Sequence, residues 1–388
     1  MRHTPKTVLM VHPDAELFGV GRMLLQSVVA LREAGWRVVV ALPVNGPLVA
    51  ELRRCGASIL IVPMLVLRRP LLRPRGWPTL LRSALFGQLG AWRLLRRVRP
   101  DAVYISTVRL PQWPVLARSR GLWAVSHLHG SVRPGRRWME RLLHLPHLAS
   151  QRVLVTSRLS LETIRIALPA LARRAEFVHD GVASPSRPQL PREPLELPLR
   201  LLYIGRFTPR EGPELVLEAA SRIQRSGHPV SITLLATSSE EAPWSLQQLR
   251  ERTGTNDIEV VFAGFQDDVW PHLAEADMLL GPSHEDEPFG NIVIEGILAL
   301  RPVITNDSSM LRDSFGSYPT LRLTPPGDAR AIADAVISVL ESWSAVVVAL
   351  SESREIALER HSPQTYRTAI ARACAPGHGA RRSSPSRT

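Results

Sequence analysis

Short, mostly apolar runs separated by helix-like segments constrain the fold of this chain more than any other feature. Thr7–His12, Val38–Leu42 and Ala102–Ser106 are runs of this kind, and a helical stretch from about Met23 to Glu33 lies between the first two. A strand that is apolar at consecutive positions is buried on both faces, which is typical of parallel sheets covered by helices. The first part of the chain is therefore predicted to be a doubly wound α/β domain.

The same alternation returns after a proline-rich stretch. Ser184–Leu199 contains five prolines, a composition that favours a semi-rigid linker. A second strand-and-helix series begins at Leu201–Gly205, where Pro213 suits the first turn of the following helix. Helices are expected over Ala329–Glu341 and near Ser353–Ala373.

These patterns predict two doubly wound Rossmann-like α/β domains with an interdomain cleft, where open parallel sheets bind ligands beyond the carboxyl ends of their strands. The expected divisions are an N-terminal domain (1–184), a linker (185–199), a C-terminal domain (200–374) whose final helix can pack on the N-terminal domain, and a disordered basic tail (375–388).

Charge and composition narrow the class of partner. The formal net charge of +13 comes almost wholly from arginine, since Lys6 is the only lysine. An arginine surplus of this kind also follows from a GC-rich coding sequence, but it favours anionic partners such as nucleotide phosphates or anionic lipid. No nucleic-acid-binding motif is present, so no nucleic acid is expected.

Cysteine usage and the apolar stretches bear on the compartment. Cys55 and Cys374 match no metal or redox spacing, which indicates a reducing compartment. No signal peptide is expected at the N-terminus, and the longest apolar stretch, Ile59–Leu67, is far shorter than the roughly 20 residues of a membrane span. We expect a cytoplasmic protein, at most peripheral on the inner face of the plasma membrane.

The most informative motif is a pair of glutamates, Glu287 and Glu295, with seven residues between them. If a helix starts near Phe289 or Gly290, Glu287 precedes it and Glu295 lies about a turn and a half inside. Free N–H groups at a helix start favour phosphate, and glycine lets the backbone approach a ligand closely. A carboxylate at Glu295 can accept both hydrogen bonds of a ribose diol. The alternative is a capping Glu287 and a solvated Glu295.

This motif, with others in the same order, resembles the retaining family 4 glycosyltransferases, which have the two-domain GT-B fold. The segments that carry the resemblance span most of the chain: the loop 18–22, Thr156-Ser157, His179-Asp180-Gly181-Val182, Gly205-Arg206-Phe207, Gly264-Phe265, the run from Ala276 to Ser283, and Glu287 to Glu295. A single E-x7-E pair is weak evidence for the family, whereas this ordered set of motifs is specific to it.

The resemblance implies a role for each matching residue. Glu295 would bind the ribose, and Glu287, with the backbone of Phe289, Gly290, Asn291 and Ile292, would contact the donor sugar. Arg206 would neutralise the diphosphate leaving group. His129 would lie on the acceptor side, and the loop with Gly19 and Gly21 would bring backbone close to the donor phosphate. A purely structural role is as plausible for His129 taken alone.

Three positions depart from the family pattern. Glu211 stands where the family usually has a lysine that serves the diphosphate, so we expect Glu211 to point away and Arg210 to supply the second positive charge. Gly296 stands where alanine is usual, and Arg301 where glycine is usual. These departures bear on catalytic competence rather than on the fold.

The first domain also carries a basic, aromatic region. Its arginines and tryptophans are Arg68, Arg69, Arg73, Arg75, Trp77, Arg82, Trp92, Arg93, Arg96, Arg97, Arg99, Arg133, Arg136, Arg137, Trp138 and Arg141. Leu80-Leu81, Leu85-Phe86, Leu89 and Trp92 recur at helical spacing among them. One interpretation is core-facing helices with solvated arginines; the other is a surface that docks on an anionic membrane.

Together these features predict a transferase that moves a hexose-type sugar from a nucleoside diphosphate sugar to a hydroxyl acceptor, such as a sugar or a lipid-linked acceptor, with retention of configuration. Polysaccharide or glycolipid biosynthesis is the expected context. No cofactor and no metal are expected, because no Asp-x-Asp element is present. The alternatives are a non-catalytic relative that binds a nucleotide sugar, and a sugar-nucleotide epimerase.

Overall fold

The computed structural model describes residues 5–17, 20–67, 75, 77–129, 137–236, 248–249, 251, 258–264, 266, 268–284 and 290–375. The chain forms two compact units. Unit 1 consists of Met1–Gly181 together with Pro363–Thr388, and unit 2 consists of Val182–Ser362. The proline-rich stretch 185–199 therefore belongs to unit 2, and the last described helix belongs to unit 1.

Unit 1 is built on a seven-stranded, wholly parallel sheet with the order β3-β2-β1-β4-β5-β6-β7. Its strands are β1 (Thr7–Val11), β2 (Arg37–Leu42), β3 (Ser58–Ile61), β4 (Ala102–Ile105), β5 (Trp123–Leu128), β6 (Arg152–Val155) and β7 (Ala175–Phe177). The helices are α1 (Val20–Glu33), α2 (Pro47–Arg54), α3 (Trp77–Val98), α4 (Gln112–Ser119), α5 (Arg137–His144), α6 (Arg158–Ala167) and α7 (Pro169–Ala172), with a 3-10 helix over Leu145–Ala149.

Unit 2 repeats this plan with a six-stranded parallel sheet of order β10-β9-β8-β11-β12-β13. Its strands are β8 (Leu199–Gly205), β9 (Val230–Ala236), β10 (Glu259–Gly264), β11 (Met278–Gly281), β12 (Val303–Asn306) and β13 (Leu321–Thr324). The described helices are α8 (Pro213–Arg225), α9 (Trp270–Glu275), α10 (Gly290–Leu298), α11 (Ser309–Phe315), α12 (Ala329–Glu341) and α13 (Trp343–Arg360), and α14 (Pro363–Cys374) follows in unit 1.

Burial of the strands explains both sheets. Every residue of β1 and β4 is buried, and helices cover both faces of each sheet with separate apolar clusters. Successive apolar side chains point to opposite faces of a strand, so a continuous run satisfies both layers at once. The predicted fold class, two doubly wound Rossmann-like α/β domains, is confirmed.

The single helix predicted near Ser353–Ala373 is wrong, because the segment forms two helices. Helix α13 ends at Arg360, and α14 begins at Pro363. Proline lacks the N–H that would continue the ladder of α13, but it suits the first turn of a new helix. The sequence patterns do not predict β7 and β13, which are edge strands of the two sheets.

Helix α14 packs in unit 1 against α1 and the sheet. Tyr366 of α14 is buried, and its hydroxyl is 2.7 Å from the Ser27 hydroxyl on α1. The turn before unit 2 depends on this packing, since a Cβ at Gly181 would lie 2.8 Å from the Tyr366 Cβ. Only glycine fits at that close approach.

Two departures from the family pattern have structural explanations in unit 2. A Cβ at Gly296 of α10 would lie 2.6 Å from a Val303 methyl and 2.7 Å from a Leu279 methyl, so the helix lies close to the sheet there. Arg301 is buried and donates to the carbonyls of Leu273, Ala274, Leu300 and Gln189. Burial lowers the pKa of Arg301 to about 10, and these carbonyls satisfy its donors.

Neutral, buried histidines make unit 1 sensitive to acid. His147 Nδ1 lies 2.7 Å from the Ser126 hydroxyl, and burial lowers the pKa of His147 to about 4. The unfolded chain takes up a proton near pH 6.5, whereas the folded chain resists until about pH 4. Stability from this group is therefore present above pH 6.5 and is lost as the pH falls through about 4.

We expect the free energy of unfolding to fall over this pH window, with His147 contributing about 3 kcal/mol at most. The variant His147→Asn should be less stable at pH 7, but its stability should depend less steeply on pH. Urea unfolding at a series of pH values measures both quantities. Parallel pH curves for the two proteins would contradict this assignment.

Candidate active site

The strand order of unit 2 reverses between β8 and β11, and the carboxyl ends of these two strands lie side by side. Strand β8 leads outward to β9 and β10, and the chain then returns to β11 on the other side of β8. Helices that follow the two strands leave on opposite faces, which opens a crevice at this edge of a doubly wound sheet. Such crevices are the usual ligand sites of the fold.

Arg206 comes directly after β8 at this crevice. Its side chain is about a third exposed, and its guanidinium contacts the Glu211 carboxylate through Nε and Nη2. The backbone N–H of Arg206 donates to the other oxygen of Glu211 at 2.5 Å. The expectation that Glu211 points away is wrong: its carboxylate is buried against the arginine because that pairing compensates the cost of burial.

The backbone around this pair is fitted closely. A Cβ at Gly205 would lie 2.4 Å from the Tyr203 hydroxyl and 3.1 Å from Oε2 of Glu211. The Tyr203 hydroxyl in turn donates to the Arg206 carbonyl at 3.1 Å. Gly205 is therefore required where β8 ends, because a larger residue would displace the tyrosine or the carboxylate.

Arg210 lies on the exposed side of the same loop. Its carbonyl accepts from the His284 backbone N–H and from the Ser283 hydroxyl, both at 3.0 Å. These bonds join the loop after β8 to the loop after β11. His284 also contacts Glu214, at the start of α8, at 2.5 Å. The two loops at the crevice are thus held together by several independent bonds.

Helix α10 begins at Gly290, which agrees with the start assumed for the Glu287–Glu295 motif, and it follows β11 at the same edge of the sheet. Asn291 and Ile292 in its first turn are half-buried. Glu295 is only 7% exposed, so the alternative of a solvated Glu295 is wrong. Glu287 and Phe289 lie outside the described residues.

In unit 1 the sheet order reverses between β1 and β4. His12 and Ser106 follow these strands directly, and His12 Nδ1 lies 2.7 Å from the Ser106 hydroxyl. The other ring nitrogen of His12 is 3.3 Å from the Asp14 carboxylate. Neither residue belongs to the family motifs, but the sequence carries a signal for both: each is a polar residue placed directly after a buried strand.

His129 follows β5 at the same edge of the unit 1 sheet. It is half-buried, and its ring centroid lies 4.0 Å from that of His127. Burial, with the nearby His12, lowers the pKa of His129 to about 3, so the imidazole is neutral at pH 7. A neutral imidazole can accept or donate a hydrogen bond to a sugar hydroxyl.

Two buried tyrosines, Tyr104 and Tyr366, connect His127 to the interior of unit 1, and we call them the tyrosine layer. The Tyr104 hydroxyl contacts His127 Nδ1 and lies 3.1 Å from the Ser27 hydroxyl, which also contacts Tyr366. Helix α14 therefore reaches the histidines through a continuous chain of hydrogen bonds inside unit 1.

The glycine loop is described only in part, since Gly19 lies outside the described residues. Gly21 is buried in the first turn of α1, where a Cβ would lie 2.2 Å from the Glu16 carbonyl oxygen. This close approach requires glycine. Among the described residues no group of three or more His, Cys, Asp and Glu is arranged to hold a metal ion.

Two Rossmann-like units, each with polar residues at the strand-order reversal, are the architecture of the GT-B fold. Two family models match the chain: "Glycosyltransferase Family 4" over residues 19–184 and "Glycosyl transferases group 1" over residues 198–342. Between them the models cover most of both units. The chain belongs to the family 4 type of glycosyltransferases.

Individual relatives have low sequence identity to this chain and align with only part of it. A phosphatidyl-myo-inositol mannosyltransferase of Mycobacterium leprae is 28% identical over 251 residues, which is 57% of this chain and 65% of the relative. A glycogen synthase of Mycobacterium tuberculosis is 27% identical over 203 residues, 52% of this chain and 48% of the relative. The alignments thus span about half to two thirds of these relatives.

Among solved structures, Anabaena Alr3699/HepE in complex with UDP and glucose resembles the chain with a TM-score of 0.73. The comparison covers 94% of this chain and 98% of that one at 19% identity. At that identity the likeness shows the fold, and it agrees with the sheet topologies described above.

Gly205 and Gly281, at the ends of β8 and β11, allow a controlled test of whether close packing requires glycine at position 205. We expect Gly205→Ala to lower the free energy of unfolding by about 1–3 kcal/mol, because the new methyl overlaps the Tyr203 hydroxyl. Gly281→Ala is the control, since its nearest neighbour would be 3.6 Å away, and we expect a change within about 0.5 kcal/mol. Urea unfolding of both variants measures the difference; equal losses would contradict the fitted-loop account.

Proposed function

We propose that the protein is a retaining glycosyltransferase that transfers a hexose-type sugar from a nucleoside diphosphate sugar to a hydroxyl acceptor, in polysaccharide or glycolipid biosynthesis. The observation that carries the proposal is the placement of Arg206 and α10 on the adjacent carboxyl ends of β8 and β11 in a chain of this family. A cation and a helix N-terminus at one crevice form an anion site suited to a diphosphate.

In the proposed reaction unit 2 holds the nucleotide. Glu295 binds the ribose diol, and Arg206 and Arg210 balance the charge that grows on the diphosphate as the bond to the anomeric carbon breaks. The acceptor oxygen forms its bond to that carbon on the same face, and its proton leaves with the diphosphate. Glu287, with the backbone of Phe289 to Ile292, contacts the sugar, and the charge balance needs no metal ion.

Unit 1 supplies the acceptor side in this proposal. His129 stays neutral at pH 7 and can orient a sugar hydroxyl, while His127 and the tyrosine layer hold its ring. The loop with Gly19 and Gly21 brings backbone N–H groups toward the donor phosphate. A sugar or a lipid-linked hydroxyl is the proposed acceptor.

Two substitutions separate donor binding from turnover. We expect Glu295→Ala to weaken nucleotide binding about tenfold or more, since two hydrogen bonds to the ribose are lost. We expect Arg206→Ala to lower turnover at saturating donor by about a hundredfold, as loss of a leaving-group cation does. Titration calorimetry with UDP, GDP, TDP and ADP measures binding, and transfer assays with and without EDTA measure turnover.

Glu218→Ala is the matched control, because Glu218 lies on the exposed face of α8 and pairs only with Arg222 among the described ion pairs. It should leave both measurements unchanged. Normal binding and transfer by Glu295→Ala and Arg206→Ala would reject these roles. Binding without transfer in the unaltered protein would favour the non-catalytic alternative.

An anionic membrane surface is the second proposed partner, and α3 of unit 1 provides the face. Leu81, Leu85, Leu89 and Trp92 recur at helical spacing along one side of α3, and Leu81 and Leu85 are 71% and 62% exposed. The opposite side, with Gly87, Ala91, Leu94 and Leu95, is buried. The interpretation in which Leu81, Leu85, Leu89 and Trp92 face the core is therefore wrong.

Charge complementarity supports anionic lipid as the occupant of this face. No acidic residue occurs between Glu51 and Asp101, a stretch that contains eleven arginines. The guanidinium carbons of Arg96 and Arg120 lie 4.2 and 5.3 Å from the Trp92 ring centroid. Apolar side chains flanked by arginine suit insertion between anionic headgroups.

In the second part of the basic region, Arg141 is the one member whose side chain the structure describes. Arg141 donates to the Ala167 carbonyl at 2.9 Å and so has a structural partner. Arg68, Arg69, Arg73, Arg133 and Arg136, and the side chains of Arg137 and Trp138, lie outside what is described. Among the described residues no single helix is long and apolar enough to cross a membrane, whereas one bent pair passes that test by length and composition.

Vesicle sedimentation tests the face directly. We expect the protein to bind phosphatidylglycerol-containing vesicles, to release them in high salt, and to ignore pure phosphatidylcholine. Leu85→Glu should abolish binding, since an exposed apolar anchor is replaced by a charge that anionic lipid repels. Ile166→Glu, at an exposed apolar position on α6, is the control and should bind normally. Equal binding by both variants would reject α3 as the docking face.

A further inference from the structure

The Glu211 carboxylate lies on the donors that the proposed diphosphate would need. Oε2 accepts from the Arg206 backbone N–H at 2.5 Å, and Oε1 contacts the guanidinium. The Glu211 side chain is 4% exposed, whereas that of Arg206 is 37% exposed. The arginine thus faces the crevice while its inner donors are already taken by a carboxylate of the same chain.

The conformation of the loop after β8 places this carboxylate beside Arg206. The Glu211 backbone N–H donates to the Thr208 carbonyl at 3.1 Å, which closes a tight turn after Arg206. Gly212 then adopts a left-handed conformation with φ of 65°, and Pro213 starts α8. Gly205 leaves room for Oε2 of Glu211, because a Cβ at position 205 would lie 3.1 Å from that oxygen. Each of these features fixes Glu211 next to Arg206 rather than in solvent.

Carboxylate and phosphate oxygens compete for the same donors. A guanidinium and an N–H beside it bind either anion through charge-assisted hydrogen bonds. With Glu211 in place, a diphosphate meets an ion pair with no net charge. An arginine free of that partner would instead offer a full positive charge.

We propose that Glu211 is a built-in occupant of the diphosphate position, and that a nucleoside diphosphate binds only by displacing this carboxylate from Arg206. The inference rests on the proposed function, because it concerns the same donor site. Its consequence is specific: the β-phosphate adds little affinity in this protein, so diphosphate and monophosphate of one nucleoside bind with similar strength. Removal of the Glu211 charge should restore the difference.

The experiment compares dissociation constants for UDP with UMP, and for GDP with GMP, by titration calorimetry. In the unaltered protein we expect the two constants of a pair to agree within about threefold. Glu211→Gln should tighten the diphosphate about tenfold and leave the monophosphate nearly unchanged, as expected when a like charge is removed from a binding site. Glu211→Lys should tighten the diphosphate further.

Glu218→Gln serves as the control for loss of one negative charge nearby and should change neither constant. Urea unfolding verifies that each variant is folded, and the ratio in the unaltered protein decides the question if Glu211→Gln is not. A diphosphate that binds a hundredfold more tightly than its monophosphate, or a ratio unchanged in both Glu211 variants, would overturn the inference and leave the proposed function intact. If none of the folded proteins binds either nucleotide pair, the donor-site proposal fails as well.

Discussion

Burial of the parallel strands on both faces is the constraint on which the rest of this structure depends. A strand covered by helices on each side carries mostly apolar side chains along its length, and the polar groups that can meet a ligand collect where strands end. His12 and Ser106 occupy such positions in unit 1, and Arg206 and the start of α10 occupy them in unit 2. The reversal of strand order brings each pair of ends together.

The two sites differ in how their polar groups are satisfied. In unit 1, neutral histidines, tyrosines and serines form a buried network that reaches from α1 through β4 and β5 to α14. In unit 2 the central contact is an ion pair, Arg206 with Glu211. The neutral network suits hydroxyl ligands, whereas the ion pair links the binding of any anion to the breaking of an internal contact.

The departures from the family pattern separate into two physical kinds. Gly296 and Arg301 serve packing, since the first lets α10 lie close to the sheet and the second satisfies four carbonyls in the interior of unit 2. Glu211 lies at the crevice and changes the charge available to a ligand. Two of the three departures thus belong to the fold, and the third bears on the proposed chemistry.

The sequence by itself determined the alternation of strands and helices, the two α/β domains and the helix that begins at Gly290, because these follow from local periodicity and from the terminal signals of proline and glycine. It could not determine which side of α3 is buried or the partner of Glu211. Those depend on what packs against each segment: Gly87 lies against the Leu65 backbone, and Arg206 lies within reach of a carboxylate five residues on. Only the tertiary structure supplies such neighbours, and the energy of a buried charge depends on them.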